Sequence, residues 1–544
     1  MFPFLIVVLF SLSWKISDST QPAEEFLHCL SLRFHNSSSI SELVYTQHNS
    51  SYSSVLKSSA QNFRLSTPST PTPLVIITPL HASHIQATVH CCKKHGLQHR
   101  IRSGGHDFEG LSYTTTYEVP FVVIDLLNLR SVRINVEKGT AWVESGATVG
   151  ELYYEIAKRS RTLAFPAGIG HTVGVGGHLS GGGFGLLFRK YGLAADNVID
   201  ARSIDVKERI LDRKSMGEDL FWAIRGGGGG SFGIVLAWKL KLVAVPAIVT
   251  VFTMSKTLEQ NATKLVHRWQ YIAHKLPKEI HMSIGISRVK SNEKEKMTIR
   301  ASFKAVFLGS IDELLPLMEE KFPQLGIPIP ETTFEGLWTK FYKEEAKSDI
   351  MVFVSYGGKM DEILETETPF PHRAGNLYSI SYVVDWEEEE NQNSEKFMSW
   401  IRRIHNYMTQ YVSKSPREYI NSLKLLQLME EKFPQLGLVK EDCLEISWAE
   451  SDLYFEQFPI SAPLETLLGR NHKSALSKSF FKAKSDFVKQ PIPEMAVAQV
   501  LRGRSKSTAM VLVAYGGKMN EIPETETPHP HRAGNIFIIL YMVD

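Results

Sequence analysis

The sequence predicts an α+β fold, and three features carry that expectation. Strand-like and helix-like runs alternate from Pro73 to about Val245. Glycine clusters fall at the ends of those strands. Beyond Pro246 the pattern changes, which places a second unit after the first. A prior of ~150 residues per domain gives two to four domains for 544 residues. Lys and Arg number 60 against 58 for Asp and Glu, so there is no basic surplus to favour nucleic acid or a membrane as partner.

The opening run Met1 to Trp14 is apolar but shorter than the ~20 residues that span a bilayer. It reads as a secretory signal, residues 1–20, cleaved near Ser17 to Gln21. Sequons at Asn36, Asn49 and Asn261 agree with secretion to the extracellular space, cell wall or vacuole. In an oxidising compartment Cys29 pairs with Cys91 or Cys92.

Leu74–Ile77 reads as a strand, Ala82–His95 as a helix and Leu97–Arg102 as the next strand. Phe121–Leu126 is a continuous apolar strand, and Val149–Arg159 an amphipathic helix with Leu152 and Ile156 on one face. Asn197–Val206 and Phe232–Val243 read as strands around a short helix, Glu218–Ile224. These elements make a first unit, 26–246. In the second, substrate-facing unit, Ser283–Arg288 and Met297–Leu308 read as strands, Ile311–Lys321 and Ser394–Met408 as helices.

That second part repeats itself. Leu317–Gly326 recurs at Leu428–Gly437, Tyr356–Met360 recurs from Tyr515, and Pro371–Asn376 recurs from Pro530. About Leu438 to Lys489 is present only in the second copy. The expected division is a first, internally deleted copy at 247–421 and a partial repeat at 422–544.

Three glycine clusters carry the chemistry: Arg102-Ser103-Gly104-Gly105-His106-Asp107, Val173–Gly183, and Arg225–Ser231. Glycine lets backbone approach a pyrophosphate, and successive N–H groups form an anion nest. Ser103, Thr172 and Ser180 add hydroxyl donors. A single nucleotide cofactor threaded through one domain is the economical reading. Gly228–Gly233 also matches a dinucleotide fingerprint and, through Ser231, a hydrolase elbow. Both need a strand before and a helix after, and here the order is reversed. His81 with His84, His95 with His99, and His529 with His531 have ligand-like spacings. Without a clustered Cys or Glu partner, solvated faces and loops explain them, and no metal is expected.

These motifs, with Phe165-Pro166-Ala167-Gly168, Thr172–His178, Arg189–Val198 and Asp219-Leu220-Phe221-Trp222, resemble the plant berberine-bridge-enzyme-like flavoproteins, of the vanillyl-alcohol-oxidase type of FAD-binding fold. The resemblance runs from about Phe26 to Gly326 and resumes in pieces. It implies an FAD domain of two α+β subdomains and a substrate domain with an antiparallel sheet covered by helices. It also implies a covalent bond from His106 to FAD and a disulfide between Cys29 and Cys91. The implied cofactor contacts are Arg102, Ser103, Gly104, Gly105, Asp107, Thr172, Val173, Gly174, Gly176, Gly177, His178, Ser180, Gly182, Asn197, Val198 and Gly233.

Several positions depart from the family pattern. A second cofactor-linking cysteine is replaced by Gly170. Val173 stands at the position associated with oxygen access, where valine is permissive. Two tyrosines of alcohol-oxidising members align with Phe108 and Phe184, and a charged strand residue aligns with Ser379 and, in the second copy, Ile538. The Asn-Tyr-Arg-Asp motif reads Asn421-Ser422-Leu423-Lys424. Tyr113, Tyr378 and Tyr382 remain as candidate bases. The resemblance thus implies a monomeric FAD-linked oxidase that passes hydride from a small-molecule alcohol, carbohydrate or phenolic substrate to the flavin, with dioxygen as acceptor. The alternative is an FAD-binding pseudoenzyme or misassembled fusion product.

Overall fold

The computed structural model describes residues 21–34, 40–115, 119–290, 297–310, 348–355, 358–363, 378–386, 442–470, 480–488, 507–514 and 537–543, with Lys396, Ser399 and Arg403 as single helical positions. The segment 1–20, Asn36, the predicted helix Ile311–Lys321, most of Ser394–Met408, and His372, His529 and His531 lie outside the described residues.

Helix α1 (Gln21–Arg33), strand β1 (Val44–Thr46) and α2 (Tyr52–Ser58) precede β2 (Val75–Ile77), α3 (Ala82–Lys94), β3 (Gln98–Arg102) and β4 (Phe121–Asp125). The strands form a sheet of order β1-β2-β4-β3, in which β2 and β3 run parallel to β4 and β1 antiparallel to β2. Every residue of β2 and β4 is buried, as befits strands covered on both faces. Phe26 and Leu30 of α1 and Cys91 of α3 cover one face, and Tyr52 of α2 packs on Ile76 and Val123 on the other. Cys29 bonds to Cys91, fastening α1 to α3, and Cys92 is left as a buried free thiol.

A second, antiparallel sheet follows. It is built from β5 (Val132–Asn135), β6 (Thr140–Glu144), β7 (Val198–Ile204), β8 (Ile210–Leu211) and β9 (Ile234–Lys241) in the order β5-β6-β9-β7-β8. Between β6 and β9 the chain forms α4 (Val149–Ala157), α5 (Val175–Ser180) and α6 (Arg213–Ala223). A reciprocal cap starts α4: Glu151 N–H donates to Thr148 Oγ1, and Thr148 N–H to Glu151 Oε2. Alternation along β9 buries Ile234, Leu236, Trp238 and Leu240. The first two join the core with Ile85 and Ile124 of the first sheet, the last two the core under α4 and α5.

Three expectations need correction. The helix expected at Glu218 begins at Arg213, capped by Asp212, and Gly217 at φ +75° interrupts it, so the pattern revealed only its second half. His95 and His99 do not share a helix, because α3 stops at Lys94 and His99 lies on β3. His84 is buried rather than solvated; it accepts the Leu80 N–H and packs edge-on against Phe34. No group of three or more His, Cys, Asp or Glu among the described residues is arranged to hold a metal.

The third sheet contains β10 (Val249–Thr257), β11 (Ile280–Lys290), β12 (Met297–Phe307), β13 (Ser348–Ser355), β14 (Tyr378–Trp386), β15 (Cys443–Ile446), β16 (Phe480–Val488), β17 (Ser507–Ala514) and β18 (Phe537–Val543). Among the described residues its order is β13-β14-β16-β18-β17-β11-β12-β10-β15, antiparallel except where β13 lies beside β17. Helix α7 (Ala262–Ile272) buries Leu265, Val266 and Trp269 and packs against β12. Val249, Val251 and Val306 continue into the core of the second sheet, together with Trp448, Leu453 and Phe455 around α8 (Trp448–Phe455). No helix among the described residues is long and apolar enough to cross a membrane.

Candidate cofactor site

The loop after β3 meets the loop before α5 backbone to backbone. A Cβ on Gly104 or Gly174 would collide with the other residue's main chain, so only glycine permits this approach. Ser103 Oγ and the Gly176 N–H both donate to the Ser145 carbonyl, at 2.5 and 3.1 Å. The third cluster joins where Gly228 N–H donates to the Ser180 carbonyl at 2.9 Å, with Gly229 beside Gly177. The three glycine clusters therefore converge. Gly177 is exposed, and a side chain there would meet nothing within 4 Å, so the space beside this backbone is open.

His106 lies in the first of these loops. Its Nε2 and Thr172 Oγ1 are 2.9 Å apart. Burial, then the neighbouring His171 and His178, pull its pKa down to about 4, so the imidazole is neutral at physiological pH. With the proton on Nε2 donated to Thr172, Nδ1 keeps a free lone pair. His178 is fixed in the opposite sense. Its Nε2 accepts the Gly168 N–H at 2.9 Å, and burial lowers its pKa to about 4. Its proton therefore sits on Nδ1.

Sequence reasoning missed a clamp behind this loop. His171 N–H and Nδ1 meet the two carboxylate oxygens of Glu456, just past α8, at 2.5 and 2.7 Å. Tyr153 of α4 donates to the Gly168 carbonyl at 3.0 Å and stacks edge-on with Trp448. Asp452 is fully buried, and burial beside the Glu456 carboxyl raises its pKa well above the usual range. Arg470 grips Glu151 at 3.1 and 2.6 Å and the Gly146 carbonyl at 2.8 Å. The one available signal was that Glu456 and Arg470 fall in the stretch present in one repeat copy alone.

Other residues of the expected set also make contacts within the scaffold. Arg102 is fully buried; it binds Asp125 through Nε and one terminal nitrogen, and the carbonyls of Val55 and Leu56 through its terminal nitrogens. Asp107 accepts the Glu109 N–H. Asn197 gives both amide hydrogens to the carbonyls of Tyr191 and Leu193, and Val198 is buried at the start of β7. Their turn is tied to Gly182, whose carbonyl accepts the Ala195 N–H. Gly233 lies against the Ile204 carbonyl. Gly105 packs on Ser59. Tyr113 is buried, its hydroxyl 3.5 Å from the Asn62 carbonyl and its pKa pushed up to about 12 by burial, so its phenol is held protonated. Tyr378 and Tyr382 lie on β14, opposite Val488 of β16 and Met510 of β17.

The family model described as an FAD binding domain matches residues 73–212. Tetrahydroberberine oxidase of Berberis wilsoniae is 44% identical over 469 residues, 77% of this chain and 87% of the relative. The solved structure of BBE-like #28 from Arabidopsis thaliana superposes with a TM-score of 0.67 at 38% identity, covering 96% of this chain and 80% of that one. Phl p 4, wild type a glucose dehydrogenase and as an isoleucine-to-valine variant a glucose oxidase, superposes in both forms with a TM-score of 0.67 at 34% identity, covering 95% and 80%. The residues present fit FAD: three glycine-rich backbone loops converge beside open space at Gly177, and the neutral His106 imidazole lies in the first of them. With its α+β architecture and its FAD site, this chain belongs to the berberine-bridge-enzyme-like family of FAD-linked oxidoreductases.

Proposed function

We propose that the protein is a secreted FAD-dependent oxidoreductase that holds its cofactor covalently through His106 alone and oxidises an alcohol, carbohydrate or phenolic, alkaloid-like small molecule, with dioxygen as acceptor. The neutral His106, with Nε2 engaged by Thr172 and Nδ1 free, carries this reading. FAD held in this site would supply a two-electron acceptor for hydride from the substrate carbon, the hydroxyl proton leaving to a base or water. Ser103, Gly104, Gly174, Gly176, Gly177, Ser180 and Gly182 form the backbone cradle, and Arg102, Asp107, Asn197 and Gly233 keep its loops in shape. A second tether needs a thiolate near residue 170, where this chain has glycine at φ +117°.

Val173 borders Gly170. A valine there leaves room for dioxygen, and the dehydrogenase-to-oxidase change in Phl p 4 with an isoleucine-to-valine replacement supports that reading. The signal-like segment 1–20 and the Cys29–Cys91 bond support secretion. We divide the chain into a signal at 1–20, an FAD domain at 26–246, a substrate domain at 247–421 and its partial repeat at 422–544, acting as a monomer.

A second reading is an FAD-binding protein without turnover. It is favoured by Tyr113, a candidate base whose phenol burial keeps protonated. One experiment tests both. Wild-type protein precipitated in acid stays yellow, His106→Ala does not, and the native protein bleaches anaerobically with substrate and regains colour quickly in air. Yellow His106→Ala precipitate would overturn the tether. Retained colour without bleaching, across sugars and aromatic alcohols, would favour the second reading.

A further inference from the structure

The second sheet has one face in the core and one toward solvent. Ala141, Val143, Ala201, Trp238 and Leu240 are buried on the first. Alternation puts the residues between them on the second. There the register forms a row: Arg133 of β5, Trp142 of β6, Lys239 of β9 and Asp200 of β7. Asn135, Thr140 and Lys241 make the row on one side of it, and Glu144, Ala237 and Arg202 the row on the other. Ala237 is small, and Arg202 reaches over β9 past it. Its guanidinium lies 5.4 Å from the centre of the Trp142 ring. Arg133, Arg202 and Lys241 are exposed, and Trp142 and Lys239 are half-buried.

Four cations meet two acids on this face, and both acids are occupied. Glu144 accepts the Ser131 N–H at 2.7 Å, and Asp200 accepts the N–H groups of Ala201 and Arg213 at 2.8 and 3.0 Å. Arg213 is itself paired with Glu218. Arg133 donates to the Ser131 hydroxyl at 3.3 Å. Among the described residues no carboxylate lies within ion-pair distance of Arg133, Arg202, Lys239 or Lys241. Neighbouring strands are ~4.8 Å apart, so Arg133 and Lys239 stand roughly 10 Å from each other with the indole between them. Stacking on that indole holds the Arg202 fork in place, and less freedom is lost when the fork takes a carboxylate.

The make-up of these rows selects among acidic partners. A bilayer surface is held by cations together with apolar side chains that insert. The one large apolar ring of these three rows is Trp142, and it lies under Arg202. Nucleic acid binds proteins with a basic surplus, and this chain has 60 basic against 58 acidic residues. A folded protein partner needs a desolvated anchor at the centre of its interface, and this face offers a flat field of charge. A stiff chain of flat sugar rings with recurring carboxylates meets what is present: a planar face, a pre-set guanidinium that suits a carboxylate, and further cations in neighbouring rows. We propose that the outer face of β5, β6, β9 and β7 is a docking surface for an acidic polysaccharide, whose uronate carboxylates are taken by Arg133, Arg202, Lys239 and Lys241. None of these residues belongs to the glycine loops, so the polymer holds the protein without entering the cofactor site, and the inference stands apart from the reading of the reaction.

Polygalacturonate immobilised on a sensor surface is the probe, and the flavin-bearing full-length protein is the analyte. Wild type binds at low salt and is released in 1 M salt, where the screening length falls to ~3 Å. Arg202→Gln weakens binding about fivefold. Arg133→Gln, Arg202→Gln and Lys239→Gln together weaken it at least tenfold. Lys93→Gln, Lys94→Gln and Lys214→Gln together remove the same charge elsewhere on the surface and leave binding as it was. Melting temperatures matching wild type show that the variants are folded, and the single Arg202→Gln change serves if the triple variant is not. Four results would each overturn the proposal: no retention of wild type, equal weakening by the two triple variants, equal binding of the fully methyl-esterified polymer, or equally tight binding of phosphatidylserine vesicles or duplex DNA.

Discussion

In the proposed tether, the tautomer of one imidazole decides whether the cofactor can be attached. His106 offers a nucleophilic Nδ1 only while Nε2 carries the proton, and Thr172 Oγ1, 2.9 Å from Nε2, is placed to accept that proton. A net hydrogen bond of about 1 kcal/mol predicts that Thr172→Val slows covalent flavin incorporation roughly five- to tenfold, with Thr172→Ser near wild type. Adding FAD to flavin-free protein and following acid-stable absorbance checks this. His178 gives a pH signature. Its folded pKa of about 4 lies below the ordinary 6.5, so the unfolded chain binds the proton more readily. Its contribution to stability is complete above pH 6.5 and is lost as the pH falls toward about 4. Melting temperature should drop across that window, and His178→Gln should flatten the drop; equal slopes would count against a buried neutral imidazole.

At the scale of elements, the loop that carries Thr172 owes its position to α8, a helix almost 300 residues away in sequence. Glu456 is nearly buried and satisfies both His171 donors. Glu456→Ala leaves buried donors unpaired, at a cost of about 2–4 kcal/mol, and Glu456→Gln costs less. Urea midpoints, combined with flavin incorporation, measure both effects. The Cys29–Cys91 bond closes 62 residues between α1 and α3. Replacing both cysteines by serine should lower stability by about 2–4 kcal/mol without changing the flavin spectrum.

Local pattern made the first two sheets legible. Phe121–Ile124 is apolar throughout because both faces of the strand are covered, and Val149–Ala157 declares its buried stripe. The glycine clusters could be read because their spacing reflects backbone approach, which glycine alone permits. The clamp could not, since pairing His171 with Glu456 requires knowing how β15 and α8 return to the edge of β10. The resemblance implied cofactor contacts at Asn197 and Arg102, and the hydrogen bonds they also make to Tyr191, Leu193 and Asp125 could not be read from the sequence because they depend on how the strands pack.

For the molecule as a whole, one core runs from the second sheet through α8 into β10 and β12, so the cofactor half and the substrate half are one packing problem. Deleting 442–470 should abolish soluble, flavin-bearing protein, and soluble yellow protein from that deletion would show that the clamp is dispensable. The clamp behind the Thr172 loop also bears on how the chain is made. Synthesis runs from the N terminus, and Glu456 follows His171 by 285 residues, so this loop leaves the ribosome long before the carboxylate that fastens it. A nascent chain halted short of α8 should therefore present the loop unfastened.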